Sequence, residues 1–243
     1  MSRLRGRHVL FIPILSAALA VSGCSGGSGD GNGNGDAKPP AAAPAFDATQ
    51  TLQKAATAMA DLKSVGLTLA SEGKPAVPVR GGDLKLLRGG DADGTIMLEQ
   101  SGQTVEMKLI AAGDGVFIKG PTGGWQRYPK AVAATMYDPS AVLDPQRGIS
   151  ALLKKATAPK AEATEKVGGK EAHRIRATLP GDAIGGLVPG ITTDVSGQIW
   201  VSATDHRLLK VKGEIPAAAG GQSGSVIITF TEFNAPYKIK APA

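Results

Sequence analysis

The first folded segment of the chain has apolar residues at helical spacing. They recur every three or four positions between Asp47 and Lys63, which is typical of an amphipathic helix with one side on a core. Asp47 is followed three residues later by Gln50, the spacing of a capping box at a helix start. The sequence therefore predicts one helix here. Its apolar stripe consists of Leu52, Ala55, Ala56, Met59 and Leu62.

After this helix the hydrophobic period changes to two. Val65, Leu67 and Leu69 alternate with small or polar neighbours, and the alternation recurs in short segments separated by glycine turns. Successive side chains of a strand point to opposite faces, so each segment has one apolar face. The pattern predicts an antiparallel meander with one wetter face. Its further segments are Leu84 with Leu86, Ile96 with Leu98, "QTVEMKLI", "GVFIKG" and "GWQRYPK".

The middle of the chain is predicted to be helical again. Asp138-Pro139 and Asp144-Pro145 each place an N-cap residue before a proline suited to the first helical position. An apolar stripe follows at Ile149, Leu152, Leu153 and Ala156. Strand patterns then return as "EKVGGKEAHRIRATL", "GQIWVSATDHRLLKVKGEI" and "GSVIITFTEFN". The order helix, sheet, helices, sheet predicts an α+β fold.

The segment before the predicted domain has the features of an export signal. Arg3, Arg5 and Arg7 form a basic start, and the apolar stretch Val9–Val21 follows. That stretch is too short to cross a bilayer as a helix, which takes about 20 residues. Together these features predict a secretory signal peptide over residues 1–23.

The chain's single cysteine comes directly after this segment. Val21-Ser22-Gly23-Cys24 resembles the bacterial lipobox, which implies a diacylglycerol on the Cys24 thiol and cleavage before that residue. The alternative is an ordinary secretory signal that happens to contain a cysteine. Residues 25–45 have no large apolar side chain and are rich in Gly, Asn and Pro. We therefore predict that residues 24–45 are a lipidated cysteine and a disordered tether.

What remains, residues 46–243, has the size of one domain. The formal charge of +6 falls to +3 on maturation, because the signal contains three arginines and no acid. Aromatic residues are only 4% of the chain, which leaves little material for stacking on bases. Neither value is typical of a nucleic-acid-binding protein.

Motifs for chemistry are almost absent. His173 and His206 have no second histidine or cysteine at ligand spacing, so no metal is expected. Ser25 matches G-x-S-x-G only in the predicted tether, and Ser71 with Lys74 matches S-x-x-K in a predicted turn. The acidic residues are scattered, so the sequence indicates no pair of catalytic carboxylates. No glycine-rich phosphate loop occurs outside the predicted tether. We expect no enzyme activity and no cofactor.

Two basic pairs lie on the predicted strands. Arg174 and Arg176 share one side of their strand, as do Lys210 and Lys212. One interpretation is the solvated outer face of a sheet. The other is a headgroup rim, meaning a set of cations that meets the phosphate or sugar groups of a lipid.

Five segments in order carry a family resemblance: "GGWQRYP", "YDPSAVLDPQRGISALL", "EKVGGKEAHRIRATLP", "GQIWVSATDHRLLKVKGEI" and "ITFTEFNAPYKIKAP". They resemble the LppX/LprA/LprF/LprG family of mycobacterial and related actinobacterial lipoproteins. The resemblance covers the whole mature domain. It implies a LolA/LolB-like half-barrel, in which a curled antiparallel sheet carries helices on its concave face around an apolar cavity.

The same resemblance implies a function. Such a protein would be anchored to the outer face of the plasma membrane, hold an acylated lipid or glycolipid in its cavity and carry it across the cell envelope. A membrane lipid exporter is a possible partner, and a monomer is expected. The residues alone leave open a filled core, as in a surface-anchored interaction or sensory module without lipid cargo.

The alternation of apolar and polar residues along the strands predicts which side chains point into the cavity. We also expect a flap near the opening in "AIGGLVPGITTD", residues 183–194, because it is apolar yet broken by glycines. The predicted inward positions are Leu67, Leu69, Leu84, Leu86, Ile96, Leu98, Val105, Met107, Leu109, Val116, Ile118, Leu152, Ile199, Val201, Leu209, Val211 and Ile228.

Overall fold

The structure, a computed structural model, describes residues 44–135, 138–188, 191–217 and 223–243. The predicted signal peptide, Cys24 and nearly all of the predicted tether lie outside the described residues. The described residues belong to one compact unit, Ala42–Ala243.

In the described part of the chain, eleven strands form one sheet, and its antiparallel pairing is as the sequence predicts. Helix α1 spans Ala48–Ala60 and precedes them. The first six strands are β1 Ser64–Gly73, β2 Val79–Leu87, β3 Ala92–Gln100, β4 Gln103–Ala112, β5 Gly115–Lys119 and β6 Gln126–Pro129. The helices α2 Lys130–Ala133 and α3 Ile149–Lys155 follow, with a 3₁₀ turn at Pro139–Ala141 between them. The remaining elements are β7 Thr157–Val167, β8 Lys170–Leu179, α4 Gly181–Gly185, β9 Val195–Ser202, β10 Leu208–Ile215 and β11 Gly224–Phe233.

The first and last strands pair at the centre of the sheet. The strand order is β6-β5-β4-β3-β2-β1-β11-β10-β9-β8-β7, so the sheet consists of two meanders joined by the β1–β11 pair. Consecutive strands β6 and β7 therefore lie at opposite edges, about 48 Å apart if the sheet were flat. The segment between them must cross a whole face of the sheet. That segment contains α2, the 3₁₀ turn and α3.

Both edges of the sheet are poorly suited to pairing. β6 has only four residues and ends at Pro129. β7 is long, but its pairing with β8 slips between Thr157 and Lys160 and again between Ala161 and Ala163. Pro159 lies in the first irregularity and offers no N–H. Short, bulged or proline-containing edges resist the addition of another strand.

The predicted capping of α1 is confirmed, whereas one predicted helix start is wrong. Asp47 Oδ1 accepts a 2.6 Å hydrogen bond from the Gln50 N–H at the start of α1. Asp138 caps the 3₁₀ turn. Asp144 caps no helix, because its carboxylate accepts from the N–H groups of Gln146 and Arg147 within a turn. Helix α3 begins later, after Gly148.

Helices α1 and α3 pack closely together over the sheet. Ala55 and Ala56 are fully buried on α1, and the Ser150 hydroxyl of α3 donates to the Ala56 carbonyl at 2.8 Å. Small residues let the two backbones approach. Met59 at the C-terminal end of α1 is also buried, and its sulfur accepts from the Leu208 N–H at 3.4 Å. No helix in the described part of the chain is long and apolar enough to cross a membrane.

The burial of Met59 generates a stability prediction. We expect Met59→Ala to lower the free energy of unfolding by about 2–5 kcal/mol, because it leaves a cavity beneath α1. The matched control is Met97→Ala, since Met97 on β3 is 37% exposed and its loss should cost about 0.5 kcal/mol or less. Urea titration of both variants measures the difference. Equal losses would show that α1 does not cover the core.

Candidate functional site

An apolar cavity lies between the concave face of the sheet and the helices. Its volume is about 80 Å³, and every described residue that lines it is Leu, Ile, Val or Phe. The side chains of such a lining form no hydrogen bonds, and dry apolar cavities of this kind bind apolar ligands. The predicted cavity positions that do line it are Leu67, Leu69, Leu84, Leu86, Leu152, Ile199, Val211 and Ile228.

Strand register brings these side chains together from distant parts of the chain. Leu67 on β1 lies opposite Leu84 on β2, and Leu69 lies opposite Ile228 on β11. Val211 on β10 pairs with Ile228 and with Ile199 on β9. Directly opposed residues share a face of the sheet. The concave face is therefore continuously apolar from β2 to β9.

Two short helical segments form the other wall. Ile149, Leu152 and Leu153 of α3 face the cavity, at positions i, i+3 and i+4. Ile184, Leu187 and Val188 repeat the same spacing in and after α4. This second set lies in the segment that the sequence analysis nominates as a flap, of which Pro189 and Gly190 lie outside the described residues. The structure places these three residues in the cavity wall, whereas Ile191 of the same segment is buried in the core.

Alternation along the strands missed half of the lining. The signal for Ile184, Leu187 and Val188 was helical spacing, obscured by Gly185 and Gly186. The lining residues that were not nominated are Val142, Ile149, Leu153, Leu179, Ile184, Leu187, Val188, Leu208 and Phe230.

Nine nominated residues do not line the cavity. Val116 and Val201 are buried in the main core, and Ile96, Leu109 and Ile118 pack against it. The cross-strand pairing of Ile96, Leu109 and Ile118 shows that the concave face extends onto β3, β4 and β5. The half-buried residues of the same face, farther from the core, are Leu98, Val105 and Met107.

Leu209 is a wrong assignment, because it faces the other side of the sheet. It packs with Ala172 and Trp200 in a separate small cluster. The pairing of β9 with β10 shifts between Leu208 and Lys210, which adds one residue to β10. Beyond such a bulge every inward position moves by one. Leu208 therefore occupies the cavity wall instead.

The proposed headgroup rim is also wrong for this cavity. Arg174 and Lys210 pair with Trp200, and Arg176 and Lys212 pair with Gln198, so all four cations lie on the face opposite the cavity. The alternative interpretation, a solvated outer face, fits their placement.

These cations interact with groups on their own face. Arg174 contacts Glu162 at 3.0 Å and Glu165 at 2.9 Å, and Arg176 contacts Glu162 at 2.6 Å. Lys212 contacts Glu72 at 2.5 Å. The Lys210 ammonium lies 4.6 Å from the centre of the Trp200 ring.

The histidine and serine considered for chemistry in the sequence analysis pack against or hydrogen-bond to neighbouring strands. His173 stacks on Phe46 with ring centres 4.2 Å apart, and its Nδ1 lies 3.1 Å from the Thr164 hydroxyl. Burial lowers the pKa of His173; Glu171 opposes that shift and His206 adds to it. The Ser71 hydroxyl donates to the Val79 carbonyl. Among the described residues, no cluster of three or more His, Cys, Asp or Glu side chains could hold a metal.

A polar groove lies on the outer side of α3 and α4. Its volume is about 430 Å³. The charged residues that line it are Asp138, Arg147, Lys155 and Asp182, together with Gln146. The rest of the lining is small: Ala134, Ala141, Ala151, Ala183, Gly185 and Gly186. Thus α3 and α4 present apolar side chains to the cavity and polar or small side chains to the groove.

An open curled sheet whose concave face is closed by helices around an apolar cavity defines a half-barrel of the α+β class. A family model of LppX_LprAFG lipoproteins matches residues 47–239. The chain belongs to this family, which confirms the resemblance noted from the five sequence segments.

Similar proteins are found along almost the whole chain. A lipoarabinomannan carrier protein LprG of Mycolicibacterium smegmatis is 29% identical over 239 residues, covering 96% of this chain and 95% of the relative. The protein of the same name from Mycobacterium tuberculosis is 26% identical over 250 residues, covering 97% of each.

Two solved structures share the fold. LprF from Mycobacterium bovis has a TM-score of 0.70 at 20% identity and covers 83% of this chain and 99% of its own. LppX from Mycobacterium tuberculosis has a TM-score of 0.58 at 20% identity, covering 79% and 97%. The predicted curled antiparallel sheet is confirmed.

The ion pairs around Glu162 generate a pH-dependent prediction. Burial raises the pKa of Glu162, but hydrogen bonds from Arg176 and Gln198 and the charges of Arg176 and Arg174 outweigh it, so this pKa lies below its usual value of 4.5. A lowered pKa contributes stability above the unfolded-state pKa, and that contribution is lost as the pH falls through the folded-state pKa.

We expect Glu162→Gln to reduce the free energy of unfolding by roughly 1–2 kcal/mol at neutral pH. The difference from the unmodified chain should shrink as the pH falls below about 4.5. Urea titrations across this pH range measure it, with Glu106→Gln on the exposed side of β4 as the control. A constant difference at every pH would contradict the role given to the Glu162 carboxylate.

Proposed function

We propose that the protein is a membrane-anchored lipoprotein that binds an acylated lipid or glycolipid in its apolar cavity and carries it across the cell envelope. The observation that supports this most is the lining, in which the described residues of both the sheet and the helices are only Leu, Ile, Val and Phe. A carrier needs no catalytic residues, so no enzyme activity is proposed. The names of the LprG relatives, which are called lipoarabinomannan carriers, agree with this proposal.

The energetics of lipid transfer explain why such a cavity is useful. Exposing an acyl chain of about sixteen carbons to water costs roughly 12 kcal/mol, at about 0.8 kcal/mol per CH₂. A lipid with two chains therefore does not cross an aqueous gap unaided at a useful rate. Aliphatic side chains around the chains remove that cost without chemistry specific to one lipid.

The cavity must widen to take such cargo. Its 80 Å³ is well below the range of about 300–1,000 Å³ that is typical of ligand sites. The sheet wall is a continuous hydrogen-bonded ladder, whereas the other wall is formed by helices of seven and five residues. We infer that α3 and α4 move away from the sheet when a chain enters between them and the strands.

A second candidate function follows from the same small volume. An 80 Å³ cavity is also compatible with a filled core, and the protein would then be a surface-anchored interaction or sensory module. That candidate predicts no bound lipid and a partner protein on the exposed surface. The cavity variants described next distinguish it from the carrier.

Neighbouring residues of β11 provide a matched test of the cavity. Ile228 lines the cavity, and Ile227 points to the opposite face of the same strand. We expect Ile228→Trp to lose most of the lipid that co-purifies with the protein, because the indole fills the space that an acyl chain needs. Ile227→Trp should keep it. Organic extraction followed by mass spectrometry measures the lipid per protein.

A circular-dichroism melt of both variants shows whether each is folded. If the unsubstituted protein carries no lipid and takes up none from vesicles, the carrier proposal fails. If Ile227→Trp and Ile228→Trp keep equal amounts of lipid, the cavity is not the binding site.

The anchor generates a separate prediction. We propose that Cys24 is acylated and holds the protein at the outer face of the plasma membrane, where a lipid exporter could supply cargo. Stable anchoring takes more than one acyl chain, and the Cys24 thiol would carry the diacylglycerol. Because Cys24→Ser removes that thiol, it should move the protein from the membrane fraction to the soluble exported fraction. Ser22→Ala, which keeps the thiol, is the control. Unchanged membrane association of Cys24→Ser would contradict lipidation.

A further inference from the structure

We propose that the groove on the outer side of α3 and α4 binds the polar head of the cargo, and that this head is a neutral polyhydroxyl group rather than an anionic one. The inference rests on the proposed carrier function. It adds a second binding site, a preference among lipid classes and a route by which the acyl chain reaches the cavity.

The first argument is the position of the groove. Leu152 and Leu153 of α3 face the cavity, whereas Ala151 and Lys155 of the same helix line the groove. The segment that follows β8 is divided in the same way: Ile184 lies on the cavity and Ala183 on the groove. A single layer of helix therefore separates the two. A molecule with a polar head and an apolar tail matches both sites if its tail passes between α3 and α4.

The second argument is that the polar link between α3 and α4 is weak. An ion pair between Lys155 Nζ and Asp182 Oδ2, at 2.9 Å, connects the two helices. Both side chains are more than half exposed, and exposed ion pairs contribute little to stability because water screens the two charges. Parting the helices at this point exposes the ion pair to water, which solvates both charges.

The third argument is the charge of the groove. Its two cations are already matched: Lys155 by Asp182, and Arg147 by Asp144 at 3.1 Å and Asp138 at 3.7 Å. Hydrogen bonding to Lys155 lowers the pKa of Asp182. A phosphate would meet no unpaired cation among the described groove residues, and it would have to displace one of these carboxylates to gain one.

The fourth argument is the match to hydroxyl groups. A hydroxyl both donates and accepts hydrogen bonds. The groove presents carboxylate acceptors, cationic donors and the amide of Gln146, which does both. Its alanines and glycines keep the floor open, and 430 Å³ falls within the range of small-ligand sites.

A glycine in the groove provides the test. A Cβ at Gly186 would meet only the Ala183 carbonyl oxygen, at 3.8 Å, which is ordinary contact, so Gly186→Trp should fill the groove without disturbing the backbone. Gly89 is the matched control, because a Cβ there meets nothing within 4 Å and Gly89 does not line the groove. Ala134→Trp fills the groove from its exposed side and serves if Gly186→Trp does not fold.

The measurement is transfer of fluorescent lipid from donor vesicles that carry the full-length protein to acceptor vesicles. Two lipids with the same labelled diacylglycerol are compared, one with a neutral diglucosyl head and one with a phosphoglycerol head. We expect the neutral lipid to be transferred roughly tenfold faster, because its hydroxyl groups pair with the groove residues whereas the phosphate meets cations that already have carboxylate partners. Gly186→Trp should abolish this preference, and Gly89→Trp should keep it.

The outcomes separate the two proposals. Equal or faster transfer of the anionic lipid, or an unchanged preference in both Gly186→Trp and Ala134→Trp, overturns the groove as a site for a neutral head while leaving the carrier intact. If neither lipid is transferred by the unsubstituted protein, the carrier proposal itself fails, and the groove proposal fails with it.

Discussion

The pairing of the first strand with the last is the constraint on which the rest of the structure depends. Because β1 and β11 meet at the centre of the sheet, β6 and β7 lie at its two edges although they are consecutive in the chain. The residues between them must cross the sheet, and the apolar concave face is where their burial is favourable. The cavity thus lies between this curved surface and two connections that do not completely fill the space over it, the β6–β7 connection with α3 and the β8–β9 connection with α4.

The two walls of this cavity differ in strength. On one side, every strand is hydrogen-bonded to its neighbours, and the lining comes from alternate residues of those strands. On the other side, short helices are held by apolar contacts and by an exposed ion pair. Opening the helical side breaks few hydrogen bonds, whereas opening the sheet side breaks a ladder. Enlarging the cavity therefore costs less at α3 and α4 than between the strands.

The sequence predicted the sheet well because a strand has a period of two that does not depend on its neighbours. Leu67, Leu69 and Val211 follow that rule and line the cavity. Leu209 does not, since a bulge is a property of two paired strands and leaves no mark in one of them. Likewise, Arg174 on β8 contacts Glu162 on β7 across an irregular register. The spacing of residues along the sequence therefore could not predict that this arginine has a carboxylate partner. The groove was not predicted either, because it requires knowing which sides of α3 and α4 face outward.

Strand β7 at one edge of the sheet is bulged and contains a proline, and strand β6 at the other edge has only four residues. The two edges are therefore poorly suited to pair with each other. In a closed barrel, strand number and stagger fix the diameter. The described sheet has no such closure, since β6 and β7 are not paired, so strand number and stagger do not fix its curvature. A change in the curvature of this sheet therefore needs no strand pair to break, in contrast to a closed barrel.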